Sequence, residues 1–112
     1  MRHHTPDNWV IIKVKNQLDI LYRVFGCWSG NNMSLDSWKI NSGIESARKE
    51  GRFWFFESFC GSIYKCHEES YGLQNYGSTV LSNFIASARE EGVKITQMKQ
   101  NTEWGKLNYE QY

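Results

Sequence analysis

The sequence predicts an α+β domain: an antiparallel, strongly curled sheet of five to six strands, approaching a barrel, followed by one amphipathic C-terminal helix. Three observations predict it. Between residues 9 and 66 apolar residues recur with a period of two, in short runs broken by Gly, Asn and Ser, the pattern of strands joined by tight turns. After Ser78 the period changes to 3.6, the mark of an amphipathic helix. The 112 residues, 40% of them apolar and 22% charged, have globular composition and suffice for one core in one domain, residues 1–112.

The elements follow in order. Residues 1–8 form a polar lead-in. Residues 9–14 alternate, with Val10, Ile12 and Val14 on one face and Trp9, Ile11 and Lys13 on the other. Lys15-Asn16-Gln17 suits a hairpin connection, and residues 18–25 alternate again. Gly26-Cys27-Trp28-Ser29-Gly30-Asn31-Asn32 reads as a loop by composition. Residues 38–41 form a short strand, with Ser42-Gly43 as turn or bulge. Residues 44–48 extend once more, with a short helix as the alternative, and Glu50-Gly51 turns the chain tightly. Residues 52–59 are the strongest strand, and residues 62–66 are its hairpin partner after Gly61. Residues 67–76 connect to the helix, residues 78–91. Leu81, Phe84, Ile85 and Ala88 form its apolar stripe, Ser78 its N-cap and Gly92 its left-handed terminator. Residues 93–98 are a short closing strand or extended chain. In the tail, residues 99–112, Trp104 and Tyr109 pack back onto the domain.

The strand at residues 52–59 is aromatic on both faces. Alternate residues point opposite ways, which puts Phe53, Phe55 and Phe59 on one face and Trp54 and Phe56 on the other. A sheet with one wet face does not read this way, and one helix covers only one face. Either the sheet curls and buries its second face, or a patch of Trp54, Phe56 and Trp28 or Trp38 awaits a partner.

Charge and motif content exclude several functions. A formal charge of +1 argues against a sequence-blind DNA binder, which needs many phosphate-neutralising cations. Lys13, Lys15, Arg23, Lys39, Arg52 and Lys65 lie on strands or their ends. Their ordinary reading is the solvated positions of a half-buried sheet, although sheet aromatics among basic residues can also stack single-stranded bases. Three cysteines, Cys27, Cys60 and Cys66, without an apolar leader, read as reduced thiols in a cytoplasmic protein. No stretch is apolar enough to imply a membrane span. Cys60, Cys66 and His67 fit no zinc spacing, and consecutive strand residues such as Cys66 and His67 point apart. The same objection applies to a Cys/His nucleophilic pair. His3 and His4 read as an N-terminal pair without a metal. Ser29 and Ser62 lie in no nucleophile elbow. Asp36, Glu68 and Glu69 read as turn and surface residues. No phosphate-cradling motif is present. Neither an enzyme, a metal nor a cofactor is implied.

Three stretches carry a resemblance: Val24-Phe25-Gly26-Cys27-Trp28-Ser29-Gly30, Asp36-Ser37-Trp38-Lys39-Ile40-Asn41-Ser42-Gly43-Ile44, and Gly61-Ser62-Ile63-Tyr64-Lys65-Cys66-His67 with Tyr71-Gly72. Together, over residues 8–76, the chain resembles small uncharacterised proteins of tailed bacteriophages, especially those of aquatic bacteria and cyanobacteria. The resemblance implies a provenance, and with it the host cytoplasm, but no reaction. The function expected is a protein-binding module, a host-directed inhibitor or modulator, with Trp28, Trp38, Trp54 and Phe56 as contact residues. The alternatives are a single-stranded nucleic-acid binder using the sheet aromatics, and a structural or self-associating phage component.

Overall fold

A computed structural model describes residues 2–30 and 35–109, and in them places eight strands and one α-helix. The long hairpin expected near the start is present as β2 (Asn8–Lys15) and β3 (Ile20–Trp28), paired from Asn8↔Cys27 to Lys15↔Ile20. Asn16 shapes its turn. The Asn16 Oδ1 accepts from the backbone N–H groups of Leu18 and Asp19, at 2.8 and 2.9 Å, the local bonding that favours Asn in turns.

β3 runs through Gly26, Cys27 and Trp28, which composition assigned to a loop. The correction has a packing reason. β4 (Ser37–Ile40) pairs with these residues in the register Cys27↔Trp38. Pro6 lies against Gly26, where a Cβ would come within 3.0 Å of the Pro6 Cβ. Gly26 is therefore a close-approach residue within a strand. Asn31 and Asn32 of that expected loop lie outside the described residues.

The single curled sheet of five to six strands is also corrected. There are two open four-stranded sheets. One has the order β4-β3-β2-β8, with β8 (Lys94–Gln97) antiparallel to the second half of β2. The other has the order β1-β7-β6-β5: β1 (His3–His4), β7 (Ile63–His67), β6 (Phe53–Ser58) and β5 (Ile44–Glu50). β1 falls inside the expected lead-in and pairs parallel with β7. Residues 44–50 are strand, as the hairpin reading required, and Gly51 supplies the positive φ of 62° at their turn.

The break between the sheets is made at residues 41–43. Asn41 is buried, and its backbone N–H donates to the Val24 carbonyl at 3.1 Å. Its Oδ1 accepts from the Val24 N–H at 2.8 Å, and its Nδ2 donates to the Ser58 Oγ at 3.0 Å. One side-chain amide thus ends β4 and ties β3 to β6. Gly43, at φ 134°, sits where a Cβ would come within 2.9 Å of both Phe59 and Leu21. The chain leaves one sheet there and enters the other, so neither sheet closes on itself.

The helix α1 spans Asn75–Glu90, beginning ahead of the expected cap. Ser78 is inside the first turn, its N–H bonded to the Gln74 carbonyl at 2.8 Å. The C-terminus is as the sequence indicates. Gly92 has φ 77°; its N–H reaches the Arg89 carbonyl at 3.2 Å, and the Val93 N–H reaches that of Ala88 at 2.9 Å, the paired bonds of a Schellman motif.

Two cores define three layers. Between the sheets lie Trp9, Ile11, Tyr22 and Val24 from one and Ile44, Phe56, Tyr64 and Cys66 from the other, with Trp104 inserted. Behind the β4-β3-β2-β8 sheet, Val10, Ile12, Phe25 and Cys27 pack on Leu81, Val80 and Ile85 of α1. Tyr71 completes the edge of β2 that β8 leaves unpaired. Its hydroxyl accepts from the Ile11 N–H at 3.2 Å and donates to the Met98 carbonyl at 2.6 Å.

Candidate functional site

β6 is the strand whose two faces are both aromatic, and the register divides its side chains cleanly. Trp54 stands opposite Cys66 and Lys49, and Phe56 opposite Tyr64 and Ala47. This is the face turned to the other sheet. Phe53 stands opposite His67 and Glu50, and Phe55 opposite Lys65 and Arg48. This face is turned away from both cores, and α1 lies behind the other sheet.

The outward face is an aromatic pair under cations. The Lys65 Nζ lies 4.4 Å from the Phe53 ring centre and 5.9 Å from that of Phe55. The Arg48 guanidinium lies 4.6 Å above Phe55. The His67 ring meets Phe53 edge-on at 5.0 Å. Cation–π contacts of this kind contribute about 0.5–1 kcal/mol at exposed sites, and the side-chain stems shield the rings, leaving Phe53 and Phe55 half-buried. Glu50 and Glu57 share the face, and Glu50 pairs with Arg48 at 3.0 Å. Its charge is therefore nearly balanced.

The four contact residues named from sequence do not share this surface. Phe56 is fully buried between the sheets, against Trp9 and Trp104; it holds the core together and meets no solvent. Trp54 is half-buried and stacks on Phe56. With Lys49, Glu68 and Tyr71 it lines a hollow of about 370 Å3, and Lys49 bridges that hollow to reach Glu68 at 2.6 Å. Trp28 donates its indole N–H to the Thr5 carbonyl at 3.0 Å and so fastens the N-terminal segment. Trp38, 38% exposed, stacks on Phe25 and meets Phe84 of α1 edge-on.

Comparison with protein-family models, with curated proteins and with solved structures finds no match for this chain.

The candidate chemical groups are dispersed. Cys66 is buried on the inner side of β7, and burial raises its thiol far above the usual range. His67 points the other way, its Nδ1 accepting from the Glu69 N–H at 3.1 Å. Cys60 is exposed in the β6–β7 turn. Cys27 is buried under α1, and burial, with the Asp36 charge, pushes it up to about 11. Among the described residues no three His, Cys, Asp or Glu side chains converge to hold a metal. No described helix is long and apolar enough to cross a membrane.

The residues that sequence reasoning passed over are Phe53 and Phe55. A signal for them was present in the neighbouring strand. In Ile63-Tyr64-Lys65-Cys66-His67, Tyr64 and Cys66 are the apolar alternates, and the hairpin register matches them to Phe56 and Trp54. The polar alternates Lys65 and His67 therefore mark the face of Phe55 and Phe53 as the wet one.

Proposed function

We propose that this domain is a protein-binding module whose partner docks on the outward face of the β1-β7-β6-β5 sheet. The observation that carries this reading is the pair Phe53 and Phe55, side by side on a sheet face that no layer of the fold covers. The other three sheet faces are packed. Aromatic anchors ringed by charged groups are what protein interfaces use at their centres. The near balance of Arg48 and Lys65 against Glu50 and Glu57 suits a mixed protein surface better than a phosphate backbone, which calls for cations alone. The resemblance to small phage proteins makes a host protein the partner class this reading expects.

The test compares the domain with its Phe53→Ser/Phe55→Ser variant. Both rings are half-exposed, so the variant keeps its fold and loses about 1 kcal/mol per ring of cross-strand contact. In affinity capture from host lysate, the wild type is expected to retain a specific protein that the folded variant releases. Equal retention by both would refute this surface.

A single-stranded nucleic-acid binder is the second reading, favoured by one detail. Phe53 and Phe55 are spaced i, i+2 on a central strand, with His67 beside them on the next, a geometry on which successive bases stack. Oligonucleotide titration at two salt concentrations separates the readings. Binding that weakens with salt and needs both phenylalanines would replace the protein partner with a nucleic acid.

A further inference from the structure

The space between the sheets opens to solvent where β4 and its exit face β1 and the β6–β7 turn. The opening is a cleft of about 880 Å3, within the size range of small-molecule sites. Its permanent charges have one sign, Arg2, Arg23 and Lys39, with no carboxylate among the lining residues; the His4 imidazole and the Cys60 thiol are its titratable groups. Hydroxyls of Ser42 and Ser62 stand among the cations.

These cations gather on one concave lining, and among the described residues they are not ion-paired as some cations elsewhere on the surface are. Arg48, Lys49, Arg52 and Lys106 each have a carboxylate within 4.0 Å. Among the described residues Arg2, Arg23 and Lys39 have none. Arg23 is further under-satisfied: its Nε is buried without a hydrogen-bond partner, and its outer nitrogen makes one long bond, 3.4 Å, to the Asn41 carbonyl. A buried guanidinium nitrogen left unpaired is costly. The field in the cleft is also felt by His4, whose pKa is lowered by burial and then by Lys39, Arg2 and His3. Unpaired like charges gathered around a concave space are the arrangement of an anion site.

We infer that this cleft binds a phosphate-bearing small molecule of about mononucleotide size, its phosphate oxygens held by Arg2, Arg23 and Lys39 with the Ser42 and Ser62 hydroxyls beside them. Two guanidinium groups and one ammonium call for more than one negative charge, which a phosphate ester carries and a single carboxylate does not. The guanidinium fork also matches phosphate geometry. The site is separate from the outward sheet face, so it stands or falls independently of the docking surface.

The test uses the intact protein and three probes: pyrophosphate, a nucleoside diphosphate and the matching nucleoside. Backbone NMR is expected to show saturable shifts at Lys39, Gly61 and Ser62 with the two phosphorylated probes and none with the nucleoside. Arg23→Gln/Lys39→Gln should weaken binding about tenfold or more, the scale of lost charge-assisted bonds, while Lys65→Gln on the outward face leaves it unchanged. If the double variant fails to fold, two wild-type readouts decide. Pyrophosphate should raise the midpoint of the His4 titration and slow alkylation of Cys60 at the cleft rim. Shifts that do not saturate, equal weakening by Lys65→Gln, or an unmoved His4 would overturn the site. Affinity that grows with oligonucleotide length would overturn the small-molecule ligand in favour of a nucleic-acid backbone.

Discussion

The three cysteines show how far burial and hydrogen bonding set one side chain's chemistry apart from another's. Cys60 is exposed in the β6–β7 turn, and its thiol is brought down to about 7 by hydrogen bonds from the Ser42 and Ser62 hydroxyls and the Ser62 backbone. The Sγ lies 3.4 Å from the Ser62 Oγ. Cys27 and Cys66 are buried, and burial moves both upward. Because the nucleophile is the thiolate, these shifts have an order. A depressed thiol ionises as pH rises through about 7, whereas the buried ones stay protonated well above it. Alkylation of the folded protein is therefore expected at Cys60 alone, at a rate that rises between about pH 6 and 8 and is half-maximal near 7. In Ser42→Ala the midpoint should move up toward the ordinary thiol value of about 8.5. Intact-mass kinetics across pH measure this. A wild-type midpoint already at the ordinary value, or modification of Cys27 before unfolding, would contradict it.

At the scale of elements, α1 sits on its sheet so closely that one glycine sets the distance. Gly77 is buried in the first turn of α1, and a Cβ there would lie 2.8 Å from the Cys27 Sγ. Replacing a helix glycine by alanine ordinarily stabilises by about 1 kcal/mol. Here overpacking opposes it at about 1–3 kcal/mol, so Gly77→Ala is expected to destabilise. Removing the sulfur should relieve the clash: Gly77→Ala/Cys27→Ala should be more stable than the sum of the two single variants indicates, by about 1 kcal/mol or more. Urea denaturation of the four proteins checks this, and a stabilising Gly77→Ala on its own would refute it. The same element shows which parts of the fold are legible in sequence. The apolar stripe, Gly92 and the hairpin signals at Asn16 and Gly51 act within a few residues, and each appears where read. The partition into two sheets does not act locally. It depends on Asn41 reaching Ser58, and on Phe59 and Leu21 filling the space beside Gly43, contacts between segments far apart in the chain. The aromatic alternation of β6 is legible in the sequence, but which of its faces turns inward is fixed by Trp9 and Trp104. The same is true of the cleft, whose cations come from the residue ahead of β1, from β3 and from β4 and have no shared sequence signal.

For the whole molecule, the question posed by the strand at residues 52–59 resolves into two separate answers. Its inner face is covered by a second sheet and not by curling, and its outer face is the uncovered one. The inner core is completed late in the chain by Trp104, 2% exposed, whose ring meets Trp9 of one sheet, Phe56 of the other and Tyr71 of the connection to α1. Tyr109 secures that turn by donating its hydroxyl to the Trp104 carbonyl, and its ring packs edge-on against Tyr22. Trp104 is thus a joint between layers that also meet through Trp9, whose indole N–H donates to the His67 carbonyl at 2.8 Å and whose ring packs on Phe56, and through Asn41. Truncating a buried tryptophan costs about 3–5 kcal/mol, a large part of the ~5–15 kcal/mol by which a domain of this kind is stable. Because the ring touches both sheets, the loss should not appear as fraying of the C-terminal segment. Trp104→Ala is expected to lower the midpoint of one shared transition, with near-ultraviolet dichroism of the aromatic core and far-ultraviolet dichroism of strands and helix falling together. A variant in which the near-ultraviolet signal is lost while the far-ultraviolet transition keeps its wild-type midpoint would show that the layers are stable without the joint. The outward pair Phe53 and Phe55 supplies the internal comparison, since their replacement touches no inter-sheet contact and should lower that shared midpoint by less than Trp104→Ala does.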